Sequence, residues 1–316
     1  MEVNRRGNDW LKPLRLGEAA TLPGRILPGP MEGISGPSFV DVLSRRNLVT
    51  AWITPFIRVS DAVPRPGRLS RRLRPFLDTQ LPVIAQVMGT DSVLLAETAA
   101  ACCELGAAGV DLNCGCPSKA VIRSRSGGYL LRHPEWIAGT LTAMRRACPG
   151  RGVSAKLRAG YAEPQEILRI LPLVEEASPD FVVIHFRTVK EQYDEVKDGL
   201  GRLDAARAVT GLTLLGSGDL FAVEDAARML ETGVDGVIPA RGLLRNPWLI
   251  RDIEAFLGGP PAEEHTVADR LALLAEIAEA AAARGNSRPG FIIEIARHML
   301  GEQNHGFRRI AKAQSV

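Results

Sequence analysis

Short apolar runs, each followed by a longer stretch with helical spacing, recur along most of this chain, and that alternation leaves few folds open to it. The runs are ILPGPM (26–31), LVTAWIT (48–54), PVIAQVM (82–88), GVDLNC (109–114), VSAKL (153–157), FVVIHF (181–186), TLLGSG (213–218) and GVIPA (236–240). Most are apolar nearly throughout rather than at alternate positions, which marks parallel strands covered on both faces. Helical spacing follows at 91–106, 134–147 and 222–233, the last with acidic residues early and Gly233 where a helix would stop. Eight such units predict a (β/α)8 TIM barrel. An open doubly wound sheet is the alternative. However, no G-x-G-x-x-G follows the first run, so dinucleotide binding of that kind has no support.

After GGPPAEE (258–264) the pattern changes to two amphipathic stretches, 267–285 and 288–303. The Gly-Gly-Pro-Pro sequence reads as a boundary. The chain therefore divides into an N-terminal extension (1–24), a barrel (25–258) and a small helical domain (259–316). The extension has basic residues but no apolar h-region, so it is no signal peptide, and it is expected to be poorly ordered or to lie on the surface. No apolar run reaches the roughly 18–20 residues of a membrane span. Five cysteines, an odd number, argue against a disulfide framework and for a reducing cytoplasm. The net charge of +3 neither demands nor excludes nucleic acid. Its distribution says more: five arginines fall in RPGRLSRRLR (65–74), and Arg297, His298, Arg308, Arg309 and Lys312 crowd the tail. Such clusters are either solvated faces or a phosphate-binding footprint.

In a barrel, polar side chains at the C-terminal ends of strands face the mouth, where catalysis is located. That rule selects Glu32, Gln86, Asn113, Cys114, Cys116, Lys156, Arg158, His185 and Arg187, then GSGD (216–219) and ARG (240–242). Glycine-rich loops after the last two strands commonly hold phosphate, and Arg241 is placed to pair with one. Each residue taken alone has a structural reading: a buried glutamine satisfying backbone, a scaffolding histidine, a lysine in an ion pair.

Cys114 and Cys116 form C-x-C with no second Cys/His pair nearby, too few ligands for zinc. A disulfide between them would be strained. Alternation along the strand sends Asn113 and Cys114 to opposite faces. Cys116 lies beyond the strand in a Gly-Cys-Pro turn over the mouth, a position suited to a reactive thiol, while Cys114 suits packing. The thiol could be a nucleophile or a proton donor, and no Cys–His dyad is visible in support of acyl chemistry.

The set PMEG (30–33), QVMG (86–89), DLNCGCPSK (111–119), GG (127–128), KLR (156–158), HFRT (185–188), GSGD and ARG resembles the tRNA-dihydrouridine synthases, and within them the bacterial DusC-like branch. The likeness is close over residues 26–258 and looser over the helical tail. It implies an FMN-dependent TIM barrel that takes hydride from NADPH (or NADH) and delivers it to C6 of a tRNA uracil. It further implies that Cys116 protonates C5, and that Asn113, Arg158 and His185 contact the base. Pro30, Met31, Glu32, Gln86, Lys156 and His185 would surround the flavin ring, and Ser217, Gly218, Asp219, Ala240 and Arg241 would grip its phosphate. The partner is tRNA; the protein is expected to act in the cytoplasm as a monomer, without metal or membrane.

The chemistry is consistent with those residue types. Hydride addition at C6 leaves enolate character towards O4, which hydrogen-bond donors stabilise. An ordinary thiol keeps its proton at neutral pH, as an acid must. A uracil stacked in folded tRNA has to be turned out to reach the mouth. Three positions depart from the family: Ser217 stands where asparagine is usual, and Ala240 and Phe186 stand where glycine is usual. The rival readings are an FMN-dependent reductase of a free pyrimidine or other small molecule, an aldolase using Lys156 as a Schiff base, and an RNA-binding module without chemistry.

Overall fold

The computed structural model describes residues 9–286 and 290–312, apart from the side chains of His305 and Arg309. Among the described residues ten strands follow in order: β1 (Leu14–Leu16), β2 (Ala20–Leu22), β3 (Trp52–Ile53), β4 (Ile57–Arg58), β5 (Val83–Met88), β6 (Gly109–Asn113), β7 (Gly152–Arg158), β8 (Phe181–His185), β9 (Leu214–Ser217) and β10 (Gly236–Val237). Strands β3, β5, β6, β7, β8, β9 and β10 pair side by side in that order, every pair parallel, and β4 pairs with the far end of β5.

The first expected strand is reduced to an extended segment, and its own sequence explains why. Pro28 and Pro30 carry no N–H, so a regular ladder cannot form. The intervening amides still pair: Leu27 donates to the Val237 carbonyl at 3.0 Å and Gly29 to Pro239 at 2.7 Å. Residues 25–29 thus run along β10 as the eighth member. Side chains from both ends of the sheet, including Leu27, Ile53, Ile84, Phe181, Val183, Leu215 and Ile238, meet in one buried cluster. The sheet is curled on itself, and the fold is the (β/α)8 barrel that the alternation predicts.

Helices form where the periodicity places them. Ser92–Glu104 is capped by Asp91, whose carboxylate accepts the amides of Val93 and Leu94. Pro134–Ala147 has the boundaries read from sequence. Val223–Glu231 ends before Gly233, which has φ +74°.

The N-terminal segment differs from expectation. Residues 1–8 lie outside the described residues, but residues 9–24 are anchored to the barrel by the buried side chains of Trp10, Leu14, Leu16 and Leu22, while Lys12, Pro13, Arg15, Glu18, Ala19, Thr21 and Pro23 stay exposed. Trp10 is fully buried and its indole N–H donates to the Val234 carbonyl at 2.8 Å. Strands β1 and β2 form an antiparallel hairpin whose Leu14, Leu16 and Leu22 join the interior cluster. Leu16 lies directly on Gly152, where a methyl would come within 2.8 Å of it, so the hairpin closes the barrel at the end where β7 begins.

The tail is also built onto the barrel. Helix Val267–Ala283, started by a Thr266–Asp269 capping box, packs on helix Pro37–Arg45. Ion pairs Arg46–Glu276 and Asp41–Arg284 flank that contact. Helix Gly290–Leu300 packs on Arg241–Arg245 at the mouth. No helix among the described residues is long and apolar enough to cross a membrane.

Candidate active site

The strand register builds the site. Gln86 lies beside Asp111, Asp111 beside Ser154, Asn113 beside Lys156, Arg158 beside His185, and His185 beside Ser217. Polar side chains from five adjacent strands therefore end at similar heights and face the same mouth. The cavity they enclose measures about 500 Å³. All fourteen residues that the family resemblance implies line it: Pro30, Met31, Glu32, Gln86, Asn113, Cys116, Lys156, Arg158, His185, Ser217, Gly218, Asp219, Ala240 and Arg241. Of the strand-end residues, Cys114 and Arg187 do not, Cys114 being packed outside the mouth and Arg187 bonded to Asp219.

The two cysteines of the C-x-C divide as alternation requires. Cys114 is fully buried among the packing between strands and outer helices, and burial pushes its thiol pKa well up. Cys116 is half-buried and lines the cavity. Its turn is held from several sides. The Asn113 side-chain oxygen Oδ1 accepts the amides of Gly115 (3.2 Å) and Cys116 (3.1 Å), and the Cys116 backbone carbonyl accepts the Gly128 amide at 3.0 Å. The glycine pair 127–128 is required by this closeness. A methyl on Gly128 would stand 2.9 Å from the Cys116 carbonyl oxygen, and one on Gly127, at φ +57°, 3.2 Å from its Cβ.

Arg158 is more a clasp than a free cation. Its Nε donates to the Gly115 carbonyl (2.8 Å), and its Nη1 donates to the carbonyls of Thr188 (2.8 Å) and Gln192 (2.7 Å). One buried guanidinium thus ties the cysteine turn to the loop after β8. That loop carries Tyr193, which no sequence rule selects. Its ring lies 5.4 Å from the Arg158 guanidinium and 4.8 Å from that of Arg241. Tyr193 remains 56% exposed at the cavity wall. His298, from the tail helix, also lines the cavity, although in the sequence it reads only as part of a basic cluster. Neither sits at a strand end, so the barrel rule does not find them.

His185 is buried among cations. Burial, then Arg158, Lys156, Arg187 and Arg241, hold its pKa well below the usual histidine range, so it is neutral. Its Nδ1 accepts the Arg187 amide at 3.2 Å, which leaves the proton on Nε2. Lys156 is lowered to about 8, first by burial and then by Arg158. Asp111, below it, is fully buried and raised to about 6, with bonds from Ser154 and Gln86 opposing the burial.

At the other end of the cavity, Gly218 has φ +128°, and a methyl there would lie 2.4 Å from the Phe186 ring. A methyl on Gly199 would meet the same ring at 2.7 Å. Phe186 therefore fills the space beneath the glycine-rich loop without lining the main cavity; it repacks the site rather than narrowing it. Ala240 is accommodated because its methyl rests against Gly29. The Ser217 hydroxyl donates to the Ile238 carbonyl at 3.3 Å, joining the ends of β9 and β10. Asp219 bridges Arg187 and Arg241, the latter at 3.0 Å. Glu32 sits at the rim, paired with Arg72 of the arginine-rich helix Pro66–Leu77.

A parallel barrel with a glycine- and arginine-lined grip after its last strands, an arc of donors across its mouth and one thiol above them is the plan of a cofactor-dependent barrel enzyme. The comparisons narrow the class. Similar solved structures include the old yellow enzyme from Trypanosoma cruzi (TM-score 0.58, 12% identity, covering 82% of this chain and 94% of that one). Morphinone reductase superposes with TM-score 0.57 at 12% identity, covering 81% and 91%. At such identity they establish the fold alone. The family model for dihydrouridine synthase (Dus) matches residues 26–311. The tRNA-dihydrouridine(16) synthase of Vibrio parahaemolyticus is 34% identical over 231 residues, 71% of each chain. That of Pseudomonas putida is 33% identical over 273 residues, 84% of each. The chain belongs to the dihydrouridine synthase family and is an oxidoreductase.

Proposed function

We propose that this protein is a flavin-dependent tRNA-dihydrouridine synthase that reduces a uridine of tRNA to 5,6-dihydrouridine, with FMN as the flavin and NADPH as reductant. The observation that carries the reading is Cys116. It is the one cysteine of the chain that lines the cavity, and it faces a donor arc suited to a pyrimidine carbonyl edge. The relatives named above share that activity in their names, and the family match spans barrel and tail together.

The residues present fit the flavin. The cavity has an apolar wall at Met31 and Ile238 for a ring system. It also has a left-handed glycine at 218 that lets a phosphate approach the backbone, and a cation at Arg241. Ser217, Gly218, Ala240 and Arg241 would hold the phosphate, with Asp219 orienting Arg241. Pro30, Met31, Gln86, Lys156 and His185 would border the ring, with Glu32 at the rim. When bound, FMN supplies the hydride that NADPH provides.

The chain's own residues then do the following. Tyr193 and Asn113 receive the turned-out base, and the neutral Nε2–H of His185 donates towards a carbonyl where negative charge develops. Arg158 keeps the Cys116 turn at a fixed height above the base. The Cys116 thiol gives its proton to C5 from the side opposite the hydride. A second cleft of about 520 Å³ shares Phe221, Arg241 and His298 with the mouth and adds Arg245, Arg270 and Arg297. This cationic path would carry the tRNA backbone, and it unites the tail with the barrel in one binding surface. We assign 25–258 to catalysis and 259–316 to tRNA binding, in a cytoplasmic monomer.

Lys156 gives this reaction a pH signature. The ammonium form favours negative charge on the adjacent ring, and it prevails below about pH 8 and is lost above. Reduction of the bound flavin by NADPH, a half-reaction in which the thiol takes no part, should slow as pH rises through about 8. Lys156→Met should be slow at all pH values and lack that limb; an identical limb in the variant would remove Lys156 from the role.

The function is tested by introducing the gene into a strain devoid of dihydrouridine. Mass spectrometry of its tRNA should show dihydrouridine restored at a defined position, and no gain would contradict the proposal.

A further inference from the structure

Asp111 is a charged residue at the centre of the barrel, fully buried, and nothing in the chemistry above uses it. Its two oxygens are both engaged: Oδ1 accepts the Ser154 hydroxyl at 2.7 Å, and Oδ2 accepts Gln86 Nε2 at 2.7 Å. The bonds continue towards the mouth. Gln86 Oε1 accepts Asn113 Nδ2 at 2.8 Å, and Asn113 Oδ1 accepts the amides of Gly115 and Cys116. The path runs unbroken from the carboxylate to the backbone of Cys116.

The direction of that path follows from one charge. An amide side chain has nearly the same shape either way round, and its partners decide which end points where. An ionised carboxylate only accepts, so Gln86 must turn Nε2 towards it and Oε1 towards Asn113. Asn113 must then give Nδ2 to Gln86, which leaves Oδ1 to anchor the two amides of the cysteine turn. Were Gln86 reversed, Asn113 would reverse with it and the turn amides would face N–H groups. Each amide nitrogen also keeps one hydrogen, and both residues line the cavity.

We infer that Asp111 is a positioning residue for proton delivery: through Gln86 and Asn113 it fixes the turn that carries Cys116 and makes both amides present N–H donors to carbonyl oxygens of what binds there. This rests on the proposed reaction for its consequence in turnover, but not for its consequence at the thiol.

The test uses the full-length protein with bound flavin, and two variants. In Asp111→Asn, an amide that can donate replaces the carboxylate, and the polarity of the path is no longer fixed. The double variant Asp111→Asn/Gln86→Glu moves the carboxylate one step along the path. The amide introduced at position 111 then donates to the carboxylate introduced at position 86, which accepts Asn113 Nδ2, so the polarity is restored with the same charge. Alkylation of Cys116 by iodoacetamide, followed on its peptide, should be several-fold faster in Asp111→Asn and return to the parental rate in the double variant. In the single variant kcat on tRNA should fall on the order of ten- to a hundredfold, with KM little changed. Equal alkylation rates in parent and Asp111→Asn would overturn the inference. So would a double variant that folds but alkylates unlike the parent, and that outcome decides even if the single variant fails to fold. A parental enzyme that makes no dihydrouridine would instead sink the proposed reaction and leave the alkylation comparison decisive for the relay.

Discussion

Cys116→Ala is expected to retain its flavin and its reduction by NADPH while losing about a hundred- to ten-thousandfold in uracil turnover. The size follows from what the thiol does alone. Cys102, Cys103, Cys114 and Cys148 are all buried, so no other thiol can substitute at the mouth. His185 is neutral, and the strong depression of its pKa by burial and four cations keeps it from serving as a replacement acid. Alanine is tolerated sterically, because the turn hangs on backbone amides bonded to Asn113 and on Arg158 gripping Gly115, not on the thiol. Stopped-flow absorbance separates the two half-reactions. Parental flavin reduction with stalled reoxidation by tRNA is the expected pattern. Parental reoxidation in the variant would remove Cys116 from the acid role.

Trp10→Ala is expected to destabilise the fold by about 3–5 kcal/mol, the range for deleting a fully buried tryptophan. Two terms add. The ring is entirely enclosed, and its N–H satisfies the Val234 carbonyl just before β10, which the truncation would leave without its donor. Trp10 also bonds through its own carbonyl to the Arg25 amide at 2.7 Å, where the eighth barrel segment starts. The residue therefore couples the hairpin to both partners of the last barrel pairing. For a chain of this size the loss corresponds to a melting temperature lower by roughly 5–8 °C. Trp10→Phe, which keeps the ring volume in part, should lose less. A Trp10→Ala protein melting within about 2 °C of the parent would mean that the hairpin is an appendage after all.

The hairpin is the part of the chain whose place the sequence conceals, and the reason is physical. Leu14, Leu16 and Leu22 lie at positions three residues or fewer from glycine or charged neighbours, in strands of three residues each, too short for a period to show. Their burial comes from Gly152 leaving room for Leu16, a contact between residues far apart in sequence. By contrast, β5 follows Pro82, the helix Pro134–Ala147 opens on its own proline and the helix Ser92–Glu104 carries the Asp91 cap; these elements are longer and locally consistent, and they stand where the pattern puts them. The first barrel segment lies where the sequence places it but forms no regular ladder, since Pro28 and Pro30 interrupt the donors.

The site divides in the same way. Residues at strand ends are legible because barrel geometry converts sequence position into location. What those residues do is less so. Arg158 reads as a cation for the base, yet three of its hydrogen bonds are spent on backbone carbonyls of two loops. Asp219 reads as part of a phosphate grip, yet it is engaged by Arg187 and Arg241. Tyr193 and His298 reach the cavity from a loop and from the tail, routes that only the tertiary fold reveals.

The proposed substrate of this mouth is a uracil within tRNA rather than a free pyrimidine. The decisive experiment reduces the purified flavoprotein with one equivalent of NADPH without oxygen and mixes it with unmodified tRNA or with free uridine. The predicted result is rapid flavin reoxidation with tRNA, one uridine of which gains two hydrogens by mass spectrometry, and negligible reoxidation with the nucleoside. Equal reoxidation by both, or reoxidation by tRNA that leaves every uridine unchanged in mass, would contradict it.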